Sequence, residues 1–147
     1  MSSGKTIAQA LQETGLYVGT TKGVSMEPLF RDSRDTIVIV PPTGRLKKYD
    51  VPLYRRGDDY VLHRVIKVNP DSYVICGDNC LQKEYGITDE DIVGVLTEFY
   101  RKDKHCYVTD RGYRWYARIR VATHPLRVLR YRAAVVFRNV FPKQKNQ

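Results

Sequence analysis

The spacing of apolar positions divides the chain into three stretches. Over residues 4–14, Ile7, Ala10 and Leu11 recur at helical spacing against a polar Gln9, Gln12, Glu13 side. Gly15 is a natural cap that lets the chain leave the helix. From there to about residue 110 the pattern is that of short strands between turns. Strands are expected at residues 16–22, 35–40, 51–55, 59–68, 72–76, 92–100 and 105–109. Pro41-Pro42-Thr43-Gly44, Arg56-Gly57-Asp58 and Asn69-Pro70-Asp71 supply the turns. The run at 59–68 is the longest and is read as one strand with His63 at its middle. Pro52 lacks an N–H for a sheet ladder, so its strand is expected at an edge or a bulge. Beyond residue 110 the helical period returns, over 113–122 and 126–141, split at His124-Pro125. The expected fold is mainly β: an antiparallel body at residues 1–110, with a short N-terminal helix, and a helical C-terminal extension at 111–147.

Charge sharpens this division. The net charge is +9 over 147 residues, from 25 Lys and Arg against 16 Asp and Glu. Residues 111–147 hold eight Arg, two Lys and no acid, a charge of +10, so residues 1–110 sum to −1. A near-neutral body with a basic tail is not the pattern of a uniformly basic nucleic-acid binder. In the second tail helix Leu126, Leu129, Ala133, Val136, Phe137 and Val140 share one side, and Arg127, Arg130 and Arg138 lie toward the other. Such a helix packs its apolar stripe on the body, lies on an anionic membrane surface, or meets an acidic partner. No apolar run reaches the roughly 18–20 residues that span a bilayer, and the first residues lack a secretory apolar core. The expected location is cytoplasmic, with peripheral membrane contact as the alternative. Cys76, Cys80 and Cys106 are odd in number, and Cys76-x3-Cys80 lacks a second pair to complete a zinc site. Reduced thiols, no metal and no cofactor are expected.

Candidate chemistry lies in three short motifs. Gly23-Val24-Ser25-Met26-Glu27-Pro28 has the form of a nucleophile turn: Gly23 gives backbone freedom and Pro28 stops regular structure. His63-Arg64-Val65 carries an imidazole, whose ordinary pKa of about 6.5 suits a general base. Gly77-Asp78-Asn79 aims a carboxylate from a turn that follows a strand. Ser, His and Asp are the three groups that a serine nucleophile, its base and the orienting acid require. Each is also common in an ordinary turn or strand, and only their combination is informative.

In combination, Ser-Met-x-Pro, His-Arg-Val, Gly-Asp-Asn and the strand Ile92-Val93-Gly94 resemble the LexA and type I signal peptidase superfamily of serine peptidases. The likeness runs from about residue 21 to residue 100. The His before Arg-Val is similar to the archaeal and endoplasmic-reticulum branch, whereas most bacterial signal peptidases use a Lys. The resemblance implies a coiled β-sheet fold, Ser25 as nucleophile, His63 as base and Asp78 as acidic partner. It also implies substrate-binding or oxyanion positions around Gly23, Met26, Pro28 and Asn79, and a peptide substrate bound as an added strand. Four departures stand out. Glu84 occupies the place of a second acid, Gly23 replaces a frequent Ser, Tyr49 replaces a Gly, and no membrane anchor precedes Ser25. Lys67 shares the strand face of His63 but is about 13 Å away at strand rise, too far to act in the same site. Only 24 residues precede Ser25, and the single Cys-Gly bond lies downstream of it, so a self-cleaving repressor is disfavoured. The resulting expectation is a serine endopeptidase that processes a leader or signal-like peptide. The alternatives are a catalytically silent peptide- or partner-binding module on the same fold and, less favoured, a nucleic-acid binder acting through the tail.

Overall fold

The computed structural model describes residues 6–141. Its elements, in order, are α1 (Ile7–Thr14), β1 (Tyr17–Thr20), β2 (Thr36–Val40), β3 (Pro52–Arg56), β4 (Asp59–Leu62), β5 (Arg64–Val68), β6 (Tyr73–Cys76), β7 (Glu84–Ile87), β8 (Ile92–Arg101), β9 (Lys104–Tyr107), α2 (Arg111–Ala122) and α3 (His124–Val140). The fold is mainly β, with a curled antiparallel sheet, a short N-terminal helix and C-terminal helices. Helix α1 begins with a capping box in which the Thr6 and Gln9 side chains and backbones bond reciprocally. It ends at Gly15, with φ of 68°.

The larger sheet has the order β1-β2-β8-β3-β4. β9 pairs β8 at Glu98 to Arg101, on the side where β3 pairs its first half. The smaller sheet is β5-β6-β7. One apolar cluster, including Met26, Phe30, Ile39, Leu53 and Phe99, fills the larger sheet. A second, around Tyr54, Val65, Tyr73 and Ile75, joins the two sheets. Burying such side chains contributes about 1.5–3 kcal/mol each.

One strand expectation needs correction, and so does half of another. Residues 59–68 are not one strand: β4 ends at Leu62 in the larger sheet and β5 starts at Arg64 in the smaller. His63 is the residue between, and is buried. Alternating apolar residues look the same whether a strand continues or changes sheets, so periodicity alone does not locate the break. β3 is interior, between β8 and β4, which removes the edge alternative for Pro52, whereas the register shift between Leu53 and Tyr54 agrees with the bulge alternative. Pro52 is tolerated because it is the first residue of the strand and pairs only with Val95 of β8, one residue before a register shift. Tyr49, where a Gly was expected, holds φ of 83°. Its N–H donates to Val65 O at 2.8 Å, and Val65 N–H donates back to Asp50 O at 2.8 Å. Those two bonds hold a conformation that costs a non-glycine residue energy.

The two tail helices behave differently. α2 packs on the body: Ala117 is buried, and Tyr113 lies 5.6 Å, centroid to centroid, from the Phe99 ring. α3 touches the body mainly through its first turn, where His124 is buried. Its apolar stripe does not pack on the β body. Leu126, Leu129, Val136, Phe137 and Val140 are all exposed.

Candidate functional site

Ser25 lies in a turn held by the loop that follows β6. Asn79 braces it twice, through its N–H to Ser25 O at 2.8 Å and its side-chain amide to Val24 O at 3.1 Å. Met26 is buried, and its sulfur accepts from Asp78 N–H at 3.4 Å. Gly23 takes φ of 79° and donates its N–H to Asp32 Oδ1 at 2.8 Å. Pro28 is exposed, after a cis Glu27–Pro28 peptide. Of the four positions expected to bind substrate or an oxyanion, Gly23 and Met26 line the cleft described below, whereas Pro28 does not. Asn79 spends its donors on the Ser25 turn.

The site opens into a cleft of about 860 Å³. Ser25, His63, Cys80 and Glu84 line it, together with Tyr17 and Thr20 of β1 and Tyr60, Val61 and Leu62 of β4. β1 and β4 end the five-strand path of the larger sheet, so the curl of the sheet brings two of its edges to one cavity. Apolar groups such as Ile7, Phe30, Ile37 and Leu53 line the cleft, and Arg56, Lys22 and Lys83 add positive charge. Lys67 is not among the lining residues.

Gly77 measures how closely the groups approach. A Cβ at this position would stand 2.7 Å from Ser25 O, 2.7 Å from Cys80 Sγ and 3.0 Å from His63 Nε2. The turn carrying Ser25 and the imidazole therefore converge on one backbone point that has no side chain. Gly77→Ala should push Ser25 and His63 apart. The expected outcome is a loss of peptide cleavage much larger than the loss of thermal stability, read by assaying and melting the same preparation. An Ala variant with unchanged cleavage would show that this approach does not matter.

The other face of the imidazole is held by an acid, and that acid is Glu84 rather than Asp78. His63 Nδ1 lies 3.2 Å from Glu84 Oε1 and 3.2 Å from the Tyr54 hydroxyl. Tyr54 donates its proton to Glu84 Oε1 at 2.8 Å, and its oxygen accepts from Arg56 at 3.3 Å. Arg56 also pairs with both oxygens of Glu84. With the Tyr54 proton committed to Glu84, the carboxylate is satisfied at Nδ1 by an N–H. The imidazole then keeps its proton on Nδ1 and presents a free lone pair at Nε2, toward Ser25. Burial pushes the His63 pKa below its ordinary value, against the opposing pull of Glu84, so the ring is neutral at pH 7. The same surroundings hold the Tyr54 hydroxyl protonated, chiefly through burial.

Asp78, expected as the orienting acid, is engaged elsewhere. Its two oxygens accept from Arg64 Nε and Nη2, each at 2.7 Å, and Oδ2 also accepts from Tyr116 at 2.9 Å. Arg64 is fully buried and further donates to Tyr49 O and Tyr113. The carbonyl of Asp78 accepts from Arg120 at 2.8 Å and Arg127 at 2.6 Å. Asp78 is thus the junction between the Ser25-bracing loop and the two tail helices. Because His63 and Arg64 are neighbours on an extended chain, their side chains leave in opposite directions. One meets Glu84 and the other Asp78.

Among the described residues no hydrogen bond joins the Ser25 hydroxyl to His63. Tyr54 and Arg56 escaped the sequence reading: alternate residues on β3 next to a turn carry no motif. Glu84 was signalled only as the position of a second acid. Comparison with protein-family models, with curated proteins and with solved structures finds no match for this chain.

Proposed function

We propose that the chain is a serine endopeptidase in which Ser25 is the nucleophile, His63 the general base and Glu84 the acid that orients it. The observation that carries this reading is the polarity of His63. Its Nδ1 is tied to Glu84 and Tyr54, and its Nε2 faces the turn of Ser25 across a glycine. In this reading Ser25 Oγ attacks the scissile carbonyl carbon as its proton passes to His63 Nε2. The proton then moves to the departing amine, leaving an ester on Ser25 that water hydrolyses by the reverse transfers. The imidazolium formed on the way is stabilised by Glu84. Gly23 brings no hydroxyl to the oxyanion, which leaves backbone N–H groups, that of Ser25 included, to stabilise it.

The cleft favours an extended peptide as substrate. Two open strand edges border it, and each offers backbone groups to a chain laid alongside. A leader or signal-like segment, unfolded before the cut, has that form. The likeness of Ser-Met-x-Pro, His-Arg-Val and Gly-Asp-Asn to the signal peptidase superfamily supports the same class.

A second reading, a silent peptide-binding module, draws on the missing Ser25–His63 hydrogen bond. Hydrogen bonds of this kind are often long before substrate binds, and mixture-based peptide cleavage separates the two. The protein is incubated with a diverse pool of unstructured peptides and the products are read by mass spectrometry. The peptidase reading expects new termini with wild type and none with Ser25→Ala or His63→Ala. Peptides retained by all three proteins without cleavage would favour the binding module.

A further inference from the structure

We propose that α3 is an interfacial helix that docks the protein on an anionic lipid bilayer, lying in the membrane plane with its apolar face immersed. At about 100° per residue, Leu126, Leu129, Ala133, Val136, Phe137 and Val140 fall on one arc. His124, which is buried, and Val128 and Val135, which are half-buried, lie on the opposite arc. The helix therefore turns its apolar face away from the body. Leu129 is 62% exposed, Phe137 65% and Val140 62%. Scattered exposed apolar residues are ordinary, but a continuous arc along four turns is the form of a contact surface.

The surrounding charge selects the occupant. Residues 111–147 hold no Asp or Glu. Arg130 and Arg132 stand exposed at the two borders of the apolar arc, Arg138 stands exposed toward the other side, and α2 adds exposed Arg111, Arg114 and Arg118. A nucleic acid matches the arginines but leaves the apolar arc in water, and an acidic protein matches both only where it adds an apolar groove as long as the arc. An anionic bilayer matches both, with headgroups for the guanidinium groups and acyl chains for the arc. Among the described residues no helix is long and apolar enough to cross a membrane, which leaves the interfacial orientation.

The docking helix is joined closely to the cleft. His124 Nε2 meets Leu81 O at 3.0 Å, and Arg127 donates to Asp78 O at 2.6 Å. Both partners lie in the loop that braces Ser25. A bilayer that holds α3 therefore holds the cleft beside it, which suits a substrate that itself reaches the membrane.

Flotation of the full chain tests this with vesicles of phosphatidylglycerol mixed with phosphatidylcholine, and with phosphatidylcholine alone. Wild type is expected to float with the anionic vesicles, much less with neutral ones, and to be released by salt. The double substitution Leu129→Glu with Phe137→Glu should lower partition roughly a hundredfold and leave peptide cleavage in solution unchanged. Equal flotation of wild type and double variant, or none by either, would overturn the proposal. So would a concentration-dependent dimer, abolished by the double variant and indifferent to vesicles, which would assign the arc to a second copy. Flotation needs no substrate, so its failure and a failure of the peptidase reading are separate results.

Discussion

Asp78→Ala should destabilise the fold by about 3–5 kcal/mol. The Arg64 and Asp78 side chains are 1% and 2% exposed, and two parallel bonds of 2.7 Å join them. Removing the carboxylate leaves a guanidinium buried without a counter-charge. Burial disfavours the charge on Arg64, but the Asp78 and Tyr113 oxygens beside it outweigh that, and the group is held more firmly charged than a free arginine. It cannot escape by losing its proton. Tyr116 loses its acceptor at the same time. Urea unfolding of Asp78→Ala, Arg64→Ala and the double variant checks this. The account expects both single variants to be severely destabilised, and the double variant to be less so than their sum. Single variants as stable as wild type would show that the pair contributes little. Activity should follow stability in this series, since Asp78 supports the site through the loop and does not touch the imidazole.

Glu84→Gln is expected to do the reverse. It should lower kcat/KM by roughly 10²–10⁴-fold, the range of lost orientation and imidazolium stabilisation in such sites. Stability should change little, since Glu84 is partly exposed, at 27%. The pH profile adds a signed expectation. The working form of His63 is neutral, so activity falls as pH drops through its folded pKa. Burial places that pKa below the ordinary value of about 6.5, so the acid limb lies below pH 6.5. Glu84 pulls the pKa upward, so its loss moves the limb to still lower pH even as the maximal rate falls. Measuring kcat/KM against pH for both proteins separates this from a merely structural role, which would lower the rate without moving the limb. A variant with a full rate and an unmoved limb would remove Glu84 from the site.

The contrast between the two acids shows where the sequence was informative. Ser25, His63 and the Gly77-Asp78-Asn79 loop were visible as motifs; Ser25 and His63 line one cleft, and the loop braces the Ser25 turn from outside its lining. The choice of acid was not visible. It depends on His63 standing where the chain leaves one sheet for the other, which sends adjacent side chains to different partners. β7, which begins at Glu84, has no strong apolar alternation in Glu84-Tyr85-Gly86-Ile87 from which a strand can be read. The helical periods of the tail were clear, but amphipathicity alone cannot say which side of α3 faces the protein. Pairing decided that: His124 and Arg127 reach the Asp78 loop, and the stripe is left outward. Pro52 pointed to an edge or a bulge, and the edge half fails for a definable reason. A missing N–H excludes a ladder bond only on the side where that N–H points, and β3 begins before β4 arrives to pair with it.

The measurement that tests the central claim most directly is acylation by a penem-type serine probe, read by intact mass. Wild type, Ser25→Ala, His63→Ala and Asp78→Asn would be labelled side by side, each shown folded by circular dichroism. The account predicts one adduct on wild type, mapped to Ser25, none on Ser25→Ala or His63→Ala, and a retained adduct on folded Asp78→Asn. An adduct of equal yield on Ser25→Ala, or the absence of any adduct on wild type together with no cleavage of the peptide pool, would contradict it.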